Sequence, residues 1–244
     1  MPRSTRPITS GWRRVSASVG ETLRLAHRGD WRAAPENSLA AMEAALHVPA
    51  CDGLELDVRV SSDGVPILLH DTSLLRVQGV DAVPSALTAA ECVANGVSTL
   101  GELLGAVGCD PFLDVELKEL VPAAIDLLEL ERGRTGDDGQ PALRAAVLSS
   151  FEREVLEWLA AERPTWPRWL NARDLSDSTI ELAATLGCSA ISAWWPAIDA
   201  ERVARVHGAG LGIAAWTITD PHDYLRIEAL GAIAICAEGA ALDG

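Results

Sequence analysis

Residues 111–120 read PFLDVELKEL, and the choice of fold turns on them. Phe112, Leu113, Val115 and Leu117 make a strand, but Asp114, Glu116 and Lys118 alternate with them and share one face. An antiparallel strand with one wet face would carry that pattern, whereas parallel strands are covered on both faces and normally read as continuous apolar runs. The rest of the chain decides between these. Short β-like runs lie at 23–27, 53–59, 111–117, 145–150, 168–172, 189–194, 212–218 and 232–236. Between them fall helix-periodic stretches at 37–48, 99–107, 121–131, 152–162, 176–186, 199–208 and 221–230. Asn37, Ser98, Ser176 and Asp220-Pro221 supply helix-start chemistry. Repeated βα units build a parallel sheet. Eight of them predict an α/β chain folded as a (β/α)8 TIM barrel, with a short insertion after strand 2 at 60–98. No GxGxxG follows the first strand, which argues against a dinucleotide-binding sheet. ERGRTGDDGQPAL (131–143) is predicted to be an exposed loop.

The chain has 244 residues, with 20 Lys and Arg against 35 Asp and Glu, a net charge of −15. Nucleic-acid binding runs on clustered cations and is excluded as the expectation. Any positive charge for a phosphate-bearing substrate must then be local. Five scattered cysteines without CxxC spacing point to neither a disulfide framework nor a thiolate zinc site. No run of about 18 apolar residues is present to span a membrane. The start of the chain lacks the apolar region of a signal peptide, so a cytoplasmic protein is expected, with residues 1–18 a loose lead-in to a catalytic barrel over 19–244.

A second strand repeats the oddity. In LELDVR (54–59), Glu55 and Asp57 share a face opposite Leu54, Leu56 and Val58. Several unpaired charges inside a barrel cost several kcal/mol each, on the order of what a divalent cation offsets. Glu55, Asp57 and Glu116 offer oxygen ligands only, which suits Mg²⁺ or Ca²⁺ better than zinc. Asp63-Gly64 signals a hairpin, and a two-residue turn there places His70 opposite Asp57. A four-residue loop keeps His70 on that face and a three-residue loop flips it. His27-Arg28-Gly29 falls at the C-terminal end of the first strand, where barrel enzymes keep catalytic groups. Two imidazoles, three carboxylates and the cations Arg28 and Lys118 make a site for a small phosphodiester. One His deprotonates the attacking hydroxyl and the other protonates the leaving alkoxide. Lys118 is the sole lysine in the chain, so its place on the Glu116 face is not a matter of abundance.

In order along the chain, HRG, PENS, ELDV, LLHD, VSTLGELL, VELK, SSF and AWTI resemble the glycerophosphodiester phosphodiesterases, a TIM-barrel family, nearly collinearly from residue 23 to 236. The resemblance implies hydrolysis of glycerophosphodiesters to an alcohol and glycerol 3-phosphate with Mg²⁺ or Ca²⁺. It implies that His27 and His70 are the acid/base pair, that Glu55, Asp57 and Glu116 ligate the metal, and that Arg28 and Lys118 contact phosphate. It adds Trp216 as a pocket lining and Glu36 and Asn37 as supporting residues, with Asn37 expected to cap the first helix. It also places 60–98 over the barrel mouth. Two departures bear on substrate choice. Asp114 stands where the family often has a neutral amide, and GAIAICAEGA (231–240) puts Ile233, Ala237 and Glu238 where an Asp and a Thr-Asp pair are usual. Trp194 and Trp195 could wall the pocket, although at least one is expected in the core. An apolar channel ending there would favour lysophospholipid or sphingolipid head groups. A barrel that binds phosphate without turnover is the remaining alternative.

Overall fold

The computed structural model describes residues 22–244, so the lead-in expected at 1–18 lies outside the described residues. Eleven strands occur in chain order: β1 Leu23–His27, β2 Gly53–Val60, β3 Pro66–Leu68, β4 Phe112–Leu117, β5 Gly133–Thr135, β6 Pro141–Leu143, β7 Ala146–Ser150, β8 Arg168–Ala172, β9 Ala190–Trp194, β10 Gly212–Ile218 and β11 Ala234–Ala237. The helices are α1 Leu39–Ala45, α2 Leu75–Gln78, α3 Ala89–Ala94, α4 Leu100–Val107, α5 Pro122–Arg132, α6 Arg153–Glu162, α7 Asp177–Thr185, α8 Ala200–Gly208, α9 Pro221–Ala229 and α10 Ala240–Asp243.

Eight parallel strands run β1-β2-β4-β7-β8-β9-β10-β11, and β1 pairs with both β2 and β11, which closes the sheet into a barrel. Closure explains the charged strands. Leu54, Leu56 and Val58 of β2 and Leu113, Val115 and Leu117 of β4 join the large apolar layer between sheet and helices. The alternate residues therefore point into the barrel. Its lower interior is filled by Leu25, Val147, Trp169, Ala190, Ala214, Ala234 and Cys236. Phe112 stacks on Trp169 with ring centroids 6.1 Å apart. Above this apolar plug the inward positions turn polar.

The insertion after β2 carries its own small core of Ile67, Leu69, Leu74, Cys92 and Val97. β3 pairs antiparallel with β2 as Val58↔Leu68, Arg59↔Ile67 and Val60↔Pro66. That is the three-residue loop, not the two-residue turn, and Asp57 faces Leu69 through the Leu69 N–H (3.0 Å) rather than His70. Gly64, at φ +82°, supplies the left-handed residue such a loop needs.

Other boundaries shift for local reasons. Asn37 does not cap α1; Ser38 does, accepting from the Ala41 N–H. Thr99 rather than Ser98 caps α4, in a capping box with Glu102. The last strand begins at Ala234, where pairing with Leu23 and Ala214 starts. The loop expected at 131–143 contains the exposed β5–β6 hairpin. No helix among the described residues is long and apolar enough to cross a membrane.

Candidate active site

The catalytic end of the barrel is built from strand ends. β1 delivers His27, after which Arg28 and Gly29 take positive φ (57° and 84°) and turn the chain sharply. A Cβ on Gly29 would sit 2.6 Å from the Ala41 carbonyl carbon, so only glycine lets α1 pack this close. The Arg28 N–H donates to the Glu55 carbonyl at 2.9 Å and locks this turn to β2.

Glu55, Asp57 and Glu116 are buried, and one carboxylate oxygen from each lies within 4.8 Å of the others. Cations thread among them. Arg28 Nε is 3.0 Å from Asp57 Oδ2, and Arg28 Nη1 donates to Glu36 at 2.9 Å. Lys118 Nζ donates to Glu116 and stands 2.7 Å from Asp57 Oδ1. Asn37, freed from capping, grips Asp57 twice: its Nδ2 donates to Oδ2 at 2.7 Å, and its Oδ1 accepts from the Asp57 N–H at 3.2 Å.

Charge crowding shows in the ionisation of the cluster. Burial, then the Asp57 charge, pushes Glu55 well above the usual carboxylate range. Glu116 is raised for the same two reasons. Burial also works against the Asp57 carboxylate, but Lys118 and Arg28 overcome it and hold it at about 2. One turn of the pleat deeper, burial lifts Asp114 to about 7 although the Ser149 hydroxyl donates to it at 2.6 Å. Mutually repelling carboxylates and an all-oxygen donor set fit a hard divalent cation.

Both expected histidines reach the site. His27 Nδ1 is 2.5 Å from Glu238 Oε1, and its Nε2 is 3.7 Å from Glu55. His70 Nδ1 is 2.8 Å from Asp71 Oδ1. Each ring is tied by one nitrogen to a carboxylate, leaving the other for the pocket. Burial lowers the His70 pKa, opposed by Asp57 and Asp71. His70 lines the pocket although the hairpin register differs from expectation, because β3 ends at Leu68 and the chain leaves the ladder before residue 70. Arg76 of α2 bridges Asp71 (2.6 Å) to Glu36 (2.6 Å), so an ionic chain runs from Arg28 through Glu36, Arg76 and Asp71 to His70.

A pocket of about 170 Å³ opens here, lined by His27, Arg28, Glu55, His70, Asp114, Glu116, Lys118 and, across the mouth, Phe151, Asn171, Arg173 and Trp216. Trp216 Nε1 donates to the Ser192 carbonyl at 2.8 Å and Phe151 meets its ring edge-on. Trp194 and Trp195 do not line it. Trp195 packs on the core beneath Arg226, and Trp194 is exposed. Sequence reasoning missed Glu238 as a histidine partner, along with Asp71, Arg76 and Arg173. The only signals were an acid at the end of the last strand and an acid adjoining His70; for Arg76 and Arg173 there was none.

The sequence profile of the glycerophosphoryl diester phosphodiesterase family matches residues 27–239. A probable glycerophosphodiester phosphodiesterase 2 of Mycobacterium tuberculosis is 27% identical over 241 residues, covering 88% of this chain and 87% of the relative. A glycerophosphodiester phosphodiesterase of Caldanaerobacter subterraneus is 45% identical over 56 residues, a match that spans only 23% of each chain. Among solved structures, an Oleispira antarctica phosphodiesterase in complex with the product sn-glycerol-3-phosphate superposes with a TM-score of 0.76 at 24% identity, covering 89% of this chain and 93% of that one. A glycerophosphodiester phosphodiesterase from Thermotoga maritima gives 0.72 at 22%, covering 91% and 96%.

Proposed function

The chain belongs to the glycerophosphoryl diester phosphodiesterase family, and from that premise we propose that it hydrolyses glycerophosphodiesters to an alcohol and glycerol 3-phosphate, by two-histidine acid/base catalysis with a divalent metal. One observation carries this reading: three buried carboxylates from adjacent strands converge beside two imidazoles, each fixed at Nδ1 by its own acid.

Glu55, Asp57 and Glu116 would hold the metal, Mg²⁺ or Ca²⁺. When bound, it supplies positive charge to the non-bridging phosphate oxygens as negative charge builds on them. The protein's residues do the rest. Asn37 and Arg28 orient Asp57, and Lys118 orients Glu116 while keeping one further N–H donor for a phosphate oxygen. One imidazole takes the proton of the attacking water at Nε2, and the other delivers a proton to the departing alkoxide. Glu238 and Asp71 fix the tautomer and aim of each ring, which a proton transfer in line with the breaking bond requires. Trp216 and Phe151, edge to face, give the pocket an apolar wall. The small, charge-lined pocket fits a glycerophosphodiester better than a lipid tail. The product held by the Oleispira antarctica enzyme is the one proposed here.

The test is release of glycerol 3-phosphate from glycerophosphoethanolamine by the purified chain, after chelation and after return of Mg²⁺ or Ca²⁺. Release only with metal is expected. No release under any metal defeats the activity, and release that survives thorough chelation defeats the metal's part in it.

A further inference from the structure

Three cations line the pocket, and two are already neutralised. Arg28 is paired with Asp57 and Glu36, and Lys118 with Asp57 and Glu116. The third, Arg173, forms no hydrogen bond or ion pair with any of the described residues, yet it lines the same pocket. The carboxylate of its sequence neighbour Asp174 makes no ion pair with it and instead accepts from the Ser176 N–H (2.9 Å) and the Thr179 hydroxyl (2.8 Å) at the start of α7. Arg173 is exposed, and at the mouth of an acidic site its guanidinium, without a carboxylate partner among the described residues, is free to meet an anion from outside.

Topology says which part of the substrate meets it. Arg173 follows β8, which stands diametrically across the barrel from β1 and His27, whereas the three carboxylates sit on β2 and β4 beside β1. The scissile phosphate belongs at the β1–β2–β4 side with the imidazoles. Arg173 therefore faces what extends away from that phosphate. The glycerol half of the substrate is uncharged, so only the alcohol half can bring a second negative charge. Arginine's planar fork matches a carboxylate or phosphate with two parallel N–H···O bonds.

Resting on the proposed activity, we infer that Arg173 forms a head-group subsite that selects diesters whose alcohol carries an anionic group. Phe151, which also lines the pocket, offers an apolar wall and no charge, so discrimination falls to the arginine.

Glycerophosphoserine and glycerophosphoethanolamine differ by one carboxylate on the alcohol, and the ratio of their kcat/KM values is the readout. The ratio is measured on one enzyme sample, so a partly folded variant does not distort it. Wild type is expected to favour the serine diester about tenfold, as one charged two-point contact allows. Arg173→Gln should bring the ratio near one, and Arg173→Lys should keep part of it. A wild-type ratio near one overturns the subsite, and so does a ratio unchanged in Arg173→Gln, including the case where both rates fall together. Binding of the two diesters to His70→Ala, with and without Arg173→Gln, gives the same ratio without turnover. If wild type hydrolyses neither diester the activity proposal has failed, and the binding ratio still decides for or against the subsite.

Discussion

The two ends of the barrel bury charge in opposite ways. At the foot, Arg132 donates to the carbonyls of Gly108, Pro111 and Ala145, and Arg168 to those of Pro164, Trp166 and Leu186. Each is as buried as the carboxylates above, with Arg132 only 1% exposed. These are lone cations among neutral acceptors, and burial lowers the Arg132 pKa to about 10. At the mouth, carboxylates face carboxylates, and two threaded cations leave the cluster short of positive charge. At the foot the chain's own carbonyls answer the cations. The mouth keeps an excess of negative charge, and that excess separates a candidate cation-binding site from a structural one.

This contrast can be broken from either end. The largest effect is expected from His27→Ala and His70→Ala, each lowering kcat by about 10²- to 10⁴-fold while the melting temperature stays within a few degrees of wild type. Near-normal turnover in either would remove that imidazole from the chemistry. Arg132→Met should do the reverse. It leaves three carbonyls short of a donor and should cost about 3 kcal/mol in urea unfolding, with kcat/KM of the folded enzyme within about twofold of wild type. A stable Arg132→Met, or an inactive one, would erase the division between the two ends.

Lys118→Arg tests the mouth more finely. Charge is kept, but a wide fork replaces a compact ammonium between Asp57 and Glu116, and turnover should fall about tenfold. Unchanged turnover would mean any cation suffices there. The smallest effect concerns pH. Burial and the Asp57 charge raise Glu55, so a metal there competes with a proton at higher pH than at an ordinary carboxylate. Mg²⁺ affinity should therefore strengthen as pH rises from 6 to 8, by no more than about tenfold per unit for one proton. Calorimetry at several pH values reads this directly, and a flat profile would deny the raised carboxyl its role.

The barrel was legible because its evidence is periodic. Glu55 and Asp57 alternate with Leu54, Leu56 and Val58, and only a parallel sheet curled around a polar interior reconciles that with the surrounding βα rhythm. Residues at strand ends, His27, Glu55, Asp57, Glu116 and Lys118, could be gathered from the same logic. What the sequence concealed depends on distance or on one residue of register. Glu238 lies 211 positions from His27 and meets it only because β1 and β11 close the ring. Asn37 looked like a cap, but its positive φ turns its amide onto Asp57, and the capping falls to Ser38. Asp63-Gly64 does not by itself tell a two-residue from a three-residue loop, and the hairpin took the latter. Arg173 carries no local pattern, since its significance is the lack of a partner among the described residues.

The solitary lysine has a practical consequence for labelling. Reagents that acylate or reductively alkylate amines find a single side-chain target in this protein, and it lies inside the pocket between two carboxylates that keep it protonated. Immobilising or crosslinking the protein through lysine would therefore proceed poorly or block the site. The same isolation makes Lys118 a one-channel reporter: any mass shift at that amine, and any protection by metal or substrate, refers to the mouth of the barrel and to nowhere else on the side-chain surface.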